Sequence, residues 1–523
     1  MIGTTPIASP DGTEIRMQAP GNPAGPTRRA AEAGASRTTE SAHRASLKPR
    51  HLTMIALGGI IGASLFVGSG SVIRSVGPAA LLSYAIGGAL VVLVMRMLGE
   101  MSTNRPVVGS FMEYARDGLG NWAGFTIGWL YWYFWVGVVA FEAVVVGRIF
   151  HEWFPAVPDW TFALAGMLVF TVTNLMSLRS FGETEFWLAS IKVTTIVVFL
   201  GVGALYVFGV IPGSTGSVAH LTDHGFMPHG WTAVFNGVAV VIFSYFGTEI
   251  VTMAAAESDQ PARAVARSTN TVVWRILLFY VGSVAILLMV VPWDQIPAKA
   301  SPFAFAFGRF GLPGAEQVMN AVVLTAALSV LNSGLYSGSR MLFALARHGY
   351  APRWVEDRNG AGVPWKAILL STVVGYGAIA ANYAAPKDVF DFIMNSAGCV
   401  ALFVYAFVAL TQWRLRNRMS AQERAGLALK MWLHPWLNAV VLAAVGLIVV
   451  LMALDPDAAP QVWLSLGALA LLLVVYPFVR RRASGRMAAQ AAEGSGSVAA
   501  AEATAEAAPA HDGEWSPSPA RPL

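Results

Sequence analysis

Four ionisable residues within or at the end of long apolar runs are candidates for chemistry, because a charge is costly there. They are Glu100, Glu142, Lys192 and Glu249. Placing Asp, Lys or Arg at the centre of a membrane helix costs roughly 2.5 to 3.5 kcal/mol, so each such residue needs a partner or a task. Lys192 could exchange a proton, because burial disfavours the charged form of an amine, and Glu249 could relay one. Solvation at the membrane interface is the alternative for Glu100, and also for Lys192, about 10 Å into a helix that starts near residue 186.

Glycines and hydroxyls interrupt two of the apolar runs at mid-depth. The first run has three glycines in five positions, at 58, 59 and 62. The sixth reads Phe243-Ser244-Tyr245-Phe246-Gly247-Thr248-Glu249. A glycine inside a helix costs about 1 kcal/mol relative to alanine, although glycines four apart can also serve close helix packing. Two interruptions in corresponding places, five spans apart, favour two broken helices in an inverted repeat.

Such breaks suit the binding of a zwitterion at the centre of a bilayer. An unwound helix exposes backbone N–H groups at a positive half-helix end, which can hold a carboxylate. It exposes carbonyls at the other half, which can hold an ammonium group. Charged side chains are then unnecessary, which agrees with a first break built from Gly, Ala and Ser.

The elements that carry these residues are predicted to be membrane helices. Of the 523 residues, 55% are hydrophobic and 12% charged, which does not suit an ordinary water-soluble domain. The formal charge of +5 comes from residues scattered between apolar runs, so nucleic acid is not an expected partner. Runs of about 20 apolar residues favour helices over a barrel. We predict twelve spans, near residues 52–73, 79–101, 122–150, 160–178, 186–210, 231–256, 271–292, 318–345, 364–383, 388–411, 432–454 and 461–480.

The distribution of Lys and Arg predicts the orientation of the chain. Basic residues are concentrated in alternate loops, and a cluster at residues 480–482 follows the last span. The positive-inside rule therefore places both termini in the cytoplasm. Residues 1–46 and 483–523 are rich in Ala, Pro and Ser and are predicted to be disordered cytoplasmic tails around a transmembrane domain at 47–482. The single cysteine, Cys399, excludes an intramolecular disulfide and a thiol-ligated metal cluster.

Several motifs resemble the amino acid transporter family of the amino acid-polyamine-organocation superfamily, and the resemblance covers nearly all of residues 47–482. They are Lys48-Pro49-Arg50-His51-Leu52 with the glycine-rich run at 58–69, Met95-Arg96-Met97-Leu98-Gly99-Glu100-Met101, Gly128-Trp129-Leu130-Tyr131-Trp132, Ala254-Ala255-Ala256-Glu257-Ser258 with Asn270 and Trp274-Arg275-Ile276, and Leu331-Asn332-Ser333. The resemblance implies an all-helical fold with a five-plus-five inverted repeat, broken helices 1 and 6 and two extra C-terminal helices. It also implies proton-coupled amino acid uptake.

The resemblance also implies a set of site residues. It places the substrate carboxylate at the backbone of Ile61, Gly62, Ala63 and Ser64, and the ammonium at the carbonyls of Phe243, Ser244 and Phe246, with Tyr245 and Gly247 beside them. Lys192 is similar to a lysine that replaces a sodium ion of sodium-coupled relatives and is implicated in proton coupling; Glu249 and Glu100 are the further coupling candidates. Packing within an apolar helix is the alternative for each aromatic residue.

The substrate expectation rests on one departure from the family pattern. Ala63-Ser64 stands where the family usually has Thr-Gly, and this pair resembles the gamma-aminobutyrate permease branch, as do the stretches 129–135 and 183–189. We therefore expect 4-aminobutyrate or a related amino acid. An aromatic, basic or other neutral amino acid is the alternative, as is a non-transporting sensor of the same fold.

Other classes fit less well. The nine histidines form no His-Glu-x-x-His pattern, so an enzyme is not expected, and a channel is disfavoured by the paired breaks. On the eighth span, Ser329, Asn332, Ser333 and Tyr336 share one face, which predicts either a transport pathway or hydrogen bonds between helices. Expected partners are an amino acid, protons and the lipid bilayer of a bacterial inner membrane, with no cofactor, metal, nucleic acid or required protein partner.

Overall fold

A computed structural model describes residues 48–480 apart from 59–60, 108, 224, 259, 297–300, 312–313, 385–398 and 457. The two predicted tails lie outside the described residues, as do the first residues of the predicted tenth span. All the elements of the described part are helical.

Eighteen helices follow one another along these residues. They are α1 (Pro49–Gly58), α2 (Ala63–Phe66), α3 (Gly68–Val76), α4 (Ala80–Asn104), α5 (Ser110–Leu119), α6 (Asn121–Trp153), α7 (Asp159–Met176), α8 (Leu178–Val207), α9 (Gly230–Tyr245), α10 (Ile250–Ala256), α11 (Pro261–Val290), α12 (Pro302–Arg309), α13 (Ala315–Arg347), α14 (Trp365–Ala384), α15 (Val400–Arg418), α16 (Ala421–Gly426), α17 (Trp436–Leu454) and α18 (Ala459–Arg480). Within α11, Ile276–Gly282 is π-helical.

Many of these helices are long and apolar enough to cross a bilayer. Nine such stretches occur among the described residues. The two C-terminal ones, α17 and α18, expose most of their apolar surface, including Val450, Leu471 and Phe478. Exposed apolar helix faces of this kind match lipid. The predicted all-helical, multi-pass membrane class is therefore confirmed, while the count of twelve spans and the inverted repeat stay predictions.

The two predicted interruptions are present. Ile61 and Gly62 are non-helical between α1 and α2, and Gly62 is extended (φ −114°, ψ −164°). Between α9 and α10, Phe246 is extended and Gly247 has a φ of +104°, a conformation that favours glycine. Helices α6 and α13 pack extensively against each other beside both breaks.

The predicted start of the fifth span at residue 186 is wrong. Helix α8 begins at Leu178, where the side chain of Ser177 accepts a hydrogen bond from the backbone of Ser180 and caps the helix. The polar residues before 186 belong to the helix, whose first turns contact α1 through the ion pair of Glu183 with Arg50 and α13 through stacking of Phe181 on Tyr336. Lys192 therefore lies fourteen residues, or about 21 Å, into the helix, and not near its start.

A short helix, α5, carries an electrostatic cluster between two spanning helices. The carboxyl of Glu113 lies 3.5 Å from Nε2 of His348 and 3.9 Å from guanidinium nitrogens of Arg105 and Arg116. Burial by itself raises the pKa of Glu113, but the hydrogen bond from His348 and the charges of His348 and both arginines outweigh it and hold the pKa below its ordinary value.

Candidate functional site

One hydrogen bond links the two helix breaks directly, and two more tie them to neighbouring elements. The Ser244 hydroxyl, in the last turn of α9, donates to the carbonyl of Ser64 in α2 at 3.3 Å. The Tyr280 hydroxyl donates to the carbonyl of Ser244 at 3.1 Å, and the Ser301 hydroxyl donates to that of Phe66 at 2.7 Å. Carbonyl groups freed from the helical pattern are therefore partly satisfied by hydroxyls of neighbouring helices.

A buried arginine on α11 contacts one residue beside each of the two breaks. The Arg275 guanidinium, 1% exposed, donates through Nη1 to the carbonyl of Ala56 in α1 and through Nη2 to the hydroxyl of Thr248 at 2.8 Å. One planar group thus holds two oxygens from different broken helices. Sequence reasoning did not select Arg275, which it recorded only as part of a motif.

The first break runs close to a carboxylate. A Cβ added at Gly62 would lie 2.7 Å from Oε1 of Glu142 on α6 and 2.7 Å from Cγ2 of Val330 on α13. Glu142 is 2% exposed, and its other oxygen, Oε2, accepts no hydrogen bond within the part of the chain that the structure describes. Glycine at 62 therefore permits close approach of three helices.

Lys192 lies at this break, fully buried. Its Nζ donates to the carbonyl of Ile61 at 2.8 Å and to Oγ of Ser329 at 2.8 Å. The charges of Glu185 and Glu142 also act on it. An ammonium group here bridges α8, α13 and the unwound segment of the first helix. The interfacial alternative for Lys192 is wrong, because its side chain does not reach the protein surface.

Glu185 is an ionisable residue that sequence reasoning missed. It is fully buried, and its carboxylate accepts from the Ser329 hydroxyl at 2.5 Å and from the Asn332 amide at 3.3 Å. The available signal was its spacing, since residues seven apart on a helix lie on one face, and Lys192 is seven residues further on. The polar face of the eighth span thus serves hydrogen bonds between helices. Tyr336 follows the same pattern and donates to Glu257 at 2.7 Å.

Glu249 forms hydrogen bonds within the second break. Its two carboxylate oxygens accept from the backbone N–H of Gly247 at 3.1 and 3.0 Å. Its charge also interacts with that of Arg275. Glu249 is 3% exposed, so the structure places a buried carboxylate beside the break, as the sequence predicts.

Aromatic rings surround the extended residue of the second break. The ring centroid of Phe246 lies 4.3 Å from that of Phe134, 5.6 Å from Tyr405 and 5.8 Å from Tyr131. The Tyr405 hydroxyl is buried and has no hydrogen-bond partner among the described residues. Phe243 packs on Phe134 from α9. The arrangement offers an apolar enclosure with polar groups at its edge, which is how small-molecule sites are usually built.

Glu100 lies in a different cluster from Lys192. Its carboxylate accepts from Gln412 at 2.8 Å, from Arg416 at 3.0 Å and from the backbone of Met431 at 2.5 Å. These partners tie α4 to α15 and to the segment before α17. With 2% exposure, Glu100 is not solvated at an interface. Its hydrogen bonds involve neither Lys192 nor Glu185 nor Ser329.

Comparison with known proteins decides the family. The amino acid permease family matches residues 51–483. The chain belongs to this family. The permease is 46% identical over 446 residues to the gamma-aminobutyric acid permease of Bacillus subtilis, which covers 85% of this chain and 95% of the relative.

Two further relatives bear on the substrate. The permease is 42% identical over 439 residues to the gamma-aminobutyric acid permease of Escherichia coli (83% of this chain, 94% of the relative). It is 40% identical over 439 residues to the aromatic amino acid transport protein AroP of Corynebacterium glutamicum (83% and 94%). The resemblance seen in the sequence is therefore confirmed, and both substrate branches are represented among the relatives.

Proposed function

We propose that the permease takes up 4-aminobutyrate together with protons across a bacterial inner membrane, with both termini in the cytoplasm, and that it catalyses no chemical reaction. The names of the two gamma-aminobutyric acid permeases support this substrate. The contact between Lys192 and the carbonyl of Ile61 is the observation that carries the coupling part of the proposal. It connects a group that can lose a proton to the segment proposed to bind substrate.

In the proposed site, the substrate carboxylate binds the backbone of Ile61, Gly62, Ala63 and Ser64. Its ammonium binds the carbonyls around the second break, at Phe243, Ser244 and Phe246, beside Tyr245 and Gly247. Phe246 is extended, so its carbonyl is turned out of the helical pattern. The Ser244 carbonyl already accepts from Tyr280 and can accept a second hydrogen bond, since a carbonyl oxygen has two lone pairs.

The proposed coupling acts through the hydrogen bonds of Lys192. A hydrogen bond to a charged group contributes about 1.5–3 kcal/mol. Loss of the proton from Lys192 weakens its contacts with Ile61 and Ser329, so the equilibrium between two positions of the first break shifts by about tenfold or more, at 1.4 kcal/mol per factor of ten. Release of the proton and movement of the break are then linked. Glu249 is proposed to assist at the second break.

The test is uptake of radiolabelled 4-aminobutyrate into proteoliposomes with an imposed pH gradient. We expect accumulation that collapses with a protonophore and resists competition by phenylalanine and basic amino acids. Lys192→Ala should abolish accumulation. Lys366→Ala is the matched control, because Lys366 pairs with Asp357 near the surface and should transport like the wild type.

Other outcomes would redirect the proposal. Gradient-driven uptake of phenylalanine in preference to 4-aminobutyrate would retain the coupling and replace the substrate by an aromatic amino acid, as the relationship to AroP allows. Saturable binding of 4-aminobutyrate without accumulation would indicate a sensor. Accumulation unchanged in Lys192→Ala would refute the coupling role of this lysine.

A further inference from the structure

A continuous line of hydrogen bonds connects two buried ionisable groups of α8. Nζ of Lys192 donates to Oγ of Ser329 at 2.8 Å, and the same hydroxyl donates to Oε1 of Glu185 at 2.5 Å. All three side chains are fully buried. The hydroxyl accepts on one side and donates on the other, which is the arrangement that a stepwise proton transfer requires. The second bond has the length typical of a hydroxyl bonded to an ionised carboxylate.

The other carboxylate oxygen of Glu185 is fixed independently. Oε2 accepts from Nδ2 of Asn332 at 3.3 Å, while Oδ1 of Asn332 accepts from Nδ2 of Asn174 on α7 at 2.9 Å. The second amide orients the first, so that Asn332 presents a donor to Glu185. Oε1 is thereby left for the Ser329 hydroxyl.

The location of Glu185 indicates the direction in which a proton would move along the hydrogen bonds from Lys192 through Ser329 to Glu185. Glu185 lies seven residues before Lys192, about 10 Å closer to the start of α8. Two residues earlier, Glu183 is 31% exposed and pairs with Arg50. A proton on Glu185 is therefore nearer to solvent than one on Lys192, at the end of the helix for which the sequence predicts a cytoplasmic location.

Glu142 is the competing acceptor, since its charge also acts on Lys192 from α6. The two hydrogen bonds of Lys192, however, go to Ile61 and to Ser329. The charge of Lys192 acts on Glu185, and its interactions with α13 are with the uncharged Ser329, Asn332 and Ser333. The geometry thus connects Lys192 to Glu185 and not to Glu142.

We infer that Glu185 accepts the proton that Lys192 releases during transport, with the Ser329 hydroxyl as the link, an inference that rests on the proposed proton coupling. One N–H proton of Lys192 moves to Oγ of Ser329 as the hydroxyl proton moves to Oε1 of Glu185. An ammonium and a carboxylate become an amine and a carboxylic acid, and the hydroxyl is regenerated. The acid then releases its proton to bulk water beyond the start of α8, and no reactant other than water is needed.

The experiment compares two activities of each variant in proteoliposomes: accumulation of 4-aminobutyrate driven by a pH gradient, and exchange of 4-aminobutyrate at equal pH on both sides. Glu185→Gln should lower gradient-driven accumulation at least tenfold and flatten its pH profile, while exchange stays within about threefold of the wild type. Ser329→Ala should also lower gradient-driven accumulation at least tenfold. Glu185→Asp and Ser329→Thr retain the titrating group or the hydroxyl and should recover part of the accumulation. Glu183→Gln is the matched control on the same helix and should keep both activities.

A second measurement follows the acid directly. When the pH of wild-type protein is lowered, the infrared C=O stretch of a protonated carboxylic acid should grow, and Glu185→Gln should remove part of this signal. Glu183→Gln should not remove the same part. This readout does not require transport, so it is informative even for a variant with weak activity.

The outcomes separate the two proposals. Wild-type gradient-driven accumulation that depends on Lys192 but is unchanged in Glu185→Gln overturns the role of Glu185 alone, as does loss of coupling in Glu142→Gln with coupling intact in Glu185→Gln. Equal loss of exchange and accumulation in Glu185→Gln shows a structural counter-ion and also overturns it. Wild-type uptake that ignores the pH gradient overturns both the proposed coupling and this relay.

Discussion

Replacing Gly62 with alanine tests the geometry of the first break. The added methyl group would lie 2.7 Å from Oε1 of Glu142 and 2.7 Å from Cγ2 of Val330. Carbon contacts in protein interiors are optimal at about 3.5–4.0 Å, so Val330 on α13 would have to move by nearly 1 Å, and the end of the Glu142 side chain on α6 would have to shift as well. Both neighbours are buried on two helices that pack extensively against each other, so little space exists for that movement.

The expected magnitude follows from the cost of overpacking. Forcing an extra methyl group into a packed interior costs about 1–3 kcal/mol. At 1.4 kcal/mol per factor of ten, we expect Gly62→Ala to lower 4-aminobutyrate uptake about 5- to 150-fold if the strain falls on the conformation that binds substrate. If the added methyl group strains all conformations of the transport cycle equally, the folded protein is destabilised and its melting temperature in detergent should fall instead.

The assay is initial uptake rate in proteoliposomes, with thermal unfolding in detergent measured in parallel. Gly68→Ala is the matched control, because a Cβ at Gly68 meets nothing within 4 Å. The double variant Gly62→Ala/Val330→Ala removes one of the two contacts and should lose less activity than the product of its single effects. Gly62→Ala with uptake within twofold of the wild type and an unchanged melting temperature would refute the close approach of these helices.

Three further perturbations separate structural from transport roles. Arg275→Lys keeps the charge but cannot hold two oxygens with one planar group, so we expect at least a tenfold loss of uptake, whereas Arg267→Lys, at an exposed position of the same helix, should be neutral. Glu100→Gln should destabilise the protein by about 3–5 kcal/mol, seen as a lower melting temperature, and a shifted pH profile of uptake with unchanged stability would instead support coupling at Glu100. Glu113→Gln should lower the melting temperature at neutral pH. The pKa of Glu113 is depressed in the folded state, so its carboxylate stabilises the protein above about pH 4.5. The difference in melting temperature from the wild type should therefore shrink as the pH falls below about 4.5.

The breaks could be predicted from the sequence because their cause is local. Glycine and hydroxyl residues at mid-depth of an apolar run weaken a helix wherever they occur, so Gly62 and Gly247 identify both positions without knowledge of their neighbours. The start of α8 could not be located in the same way. Its first turns are polar, and hydropathy alone assigns polar residues to a loop even where a serine cap and packing against other helices extend the helix.

The contacts of the site could not be predicted because they join distant parts of the chain. Ser329 and Glu185 are 144 positions apart, and Arg275 and Ala56 are 219 apart. Hydropathy shows that an ionisable residue is buried, which identified Lys192, but it does not show which groups surround that residue. Glu185 was missed because hydropathy places it just before the fifth membrane segment, although its spacing from Lys192 matches one helix face.

The attachments of the first broken helix differ in whether they can be released. Its carbonyls accept from Arg275, Lys192, Ser244 and Ser301, which lie outside this helix. A guanidinium stays charged in proteins and a serine hydroxyl does not ionise, whereas an amine can lose its proton. Among these four donors, Lys192 is therefore the one through which a change of protonation can act. If it does, the end of α1 near Arg275 stays fixed while the segment at Ile61 is freed, so that protonation would control the substrate-binding break and leave the anchor of the half-helix in place.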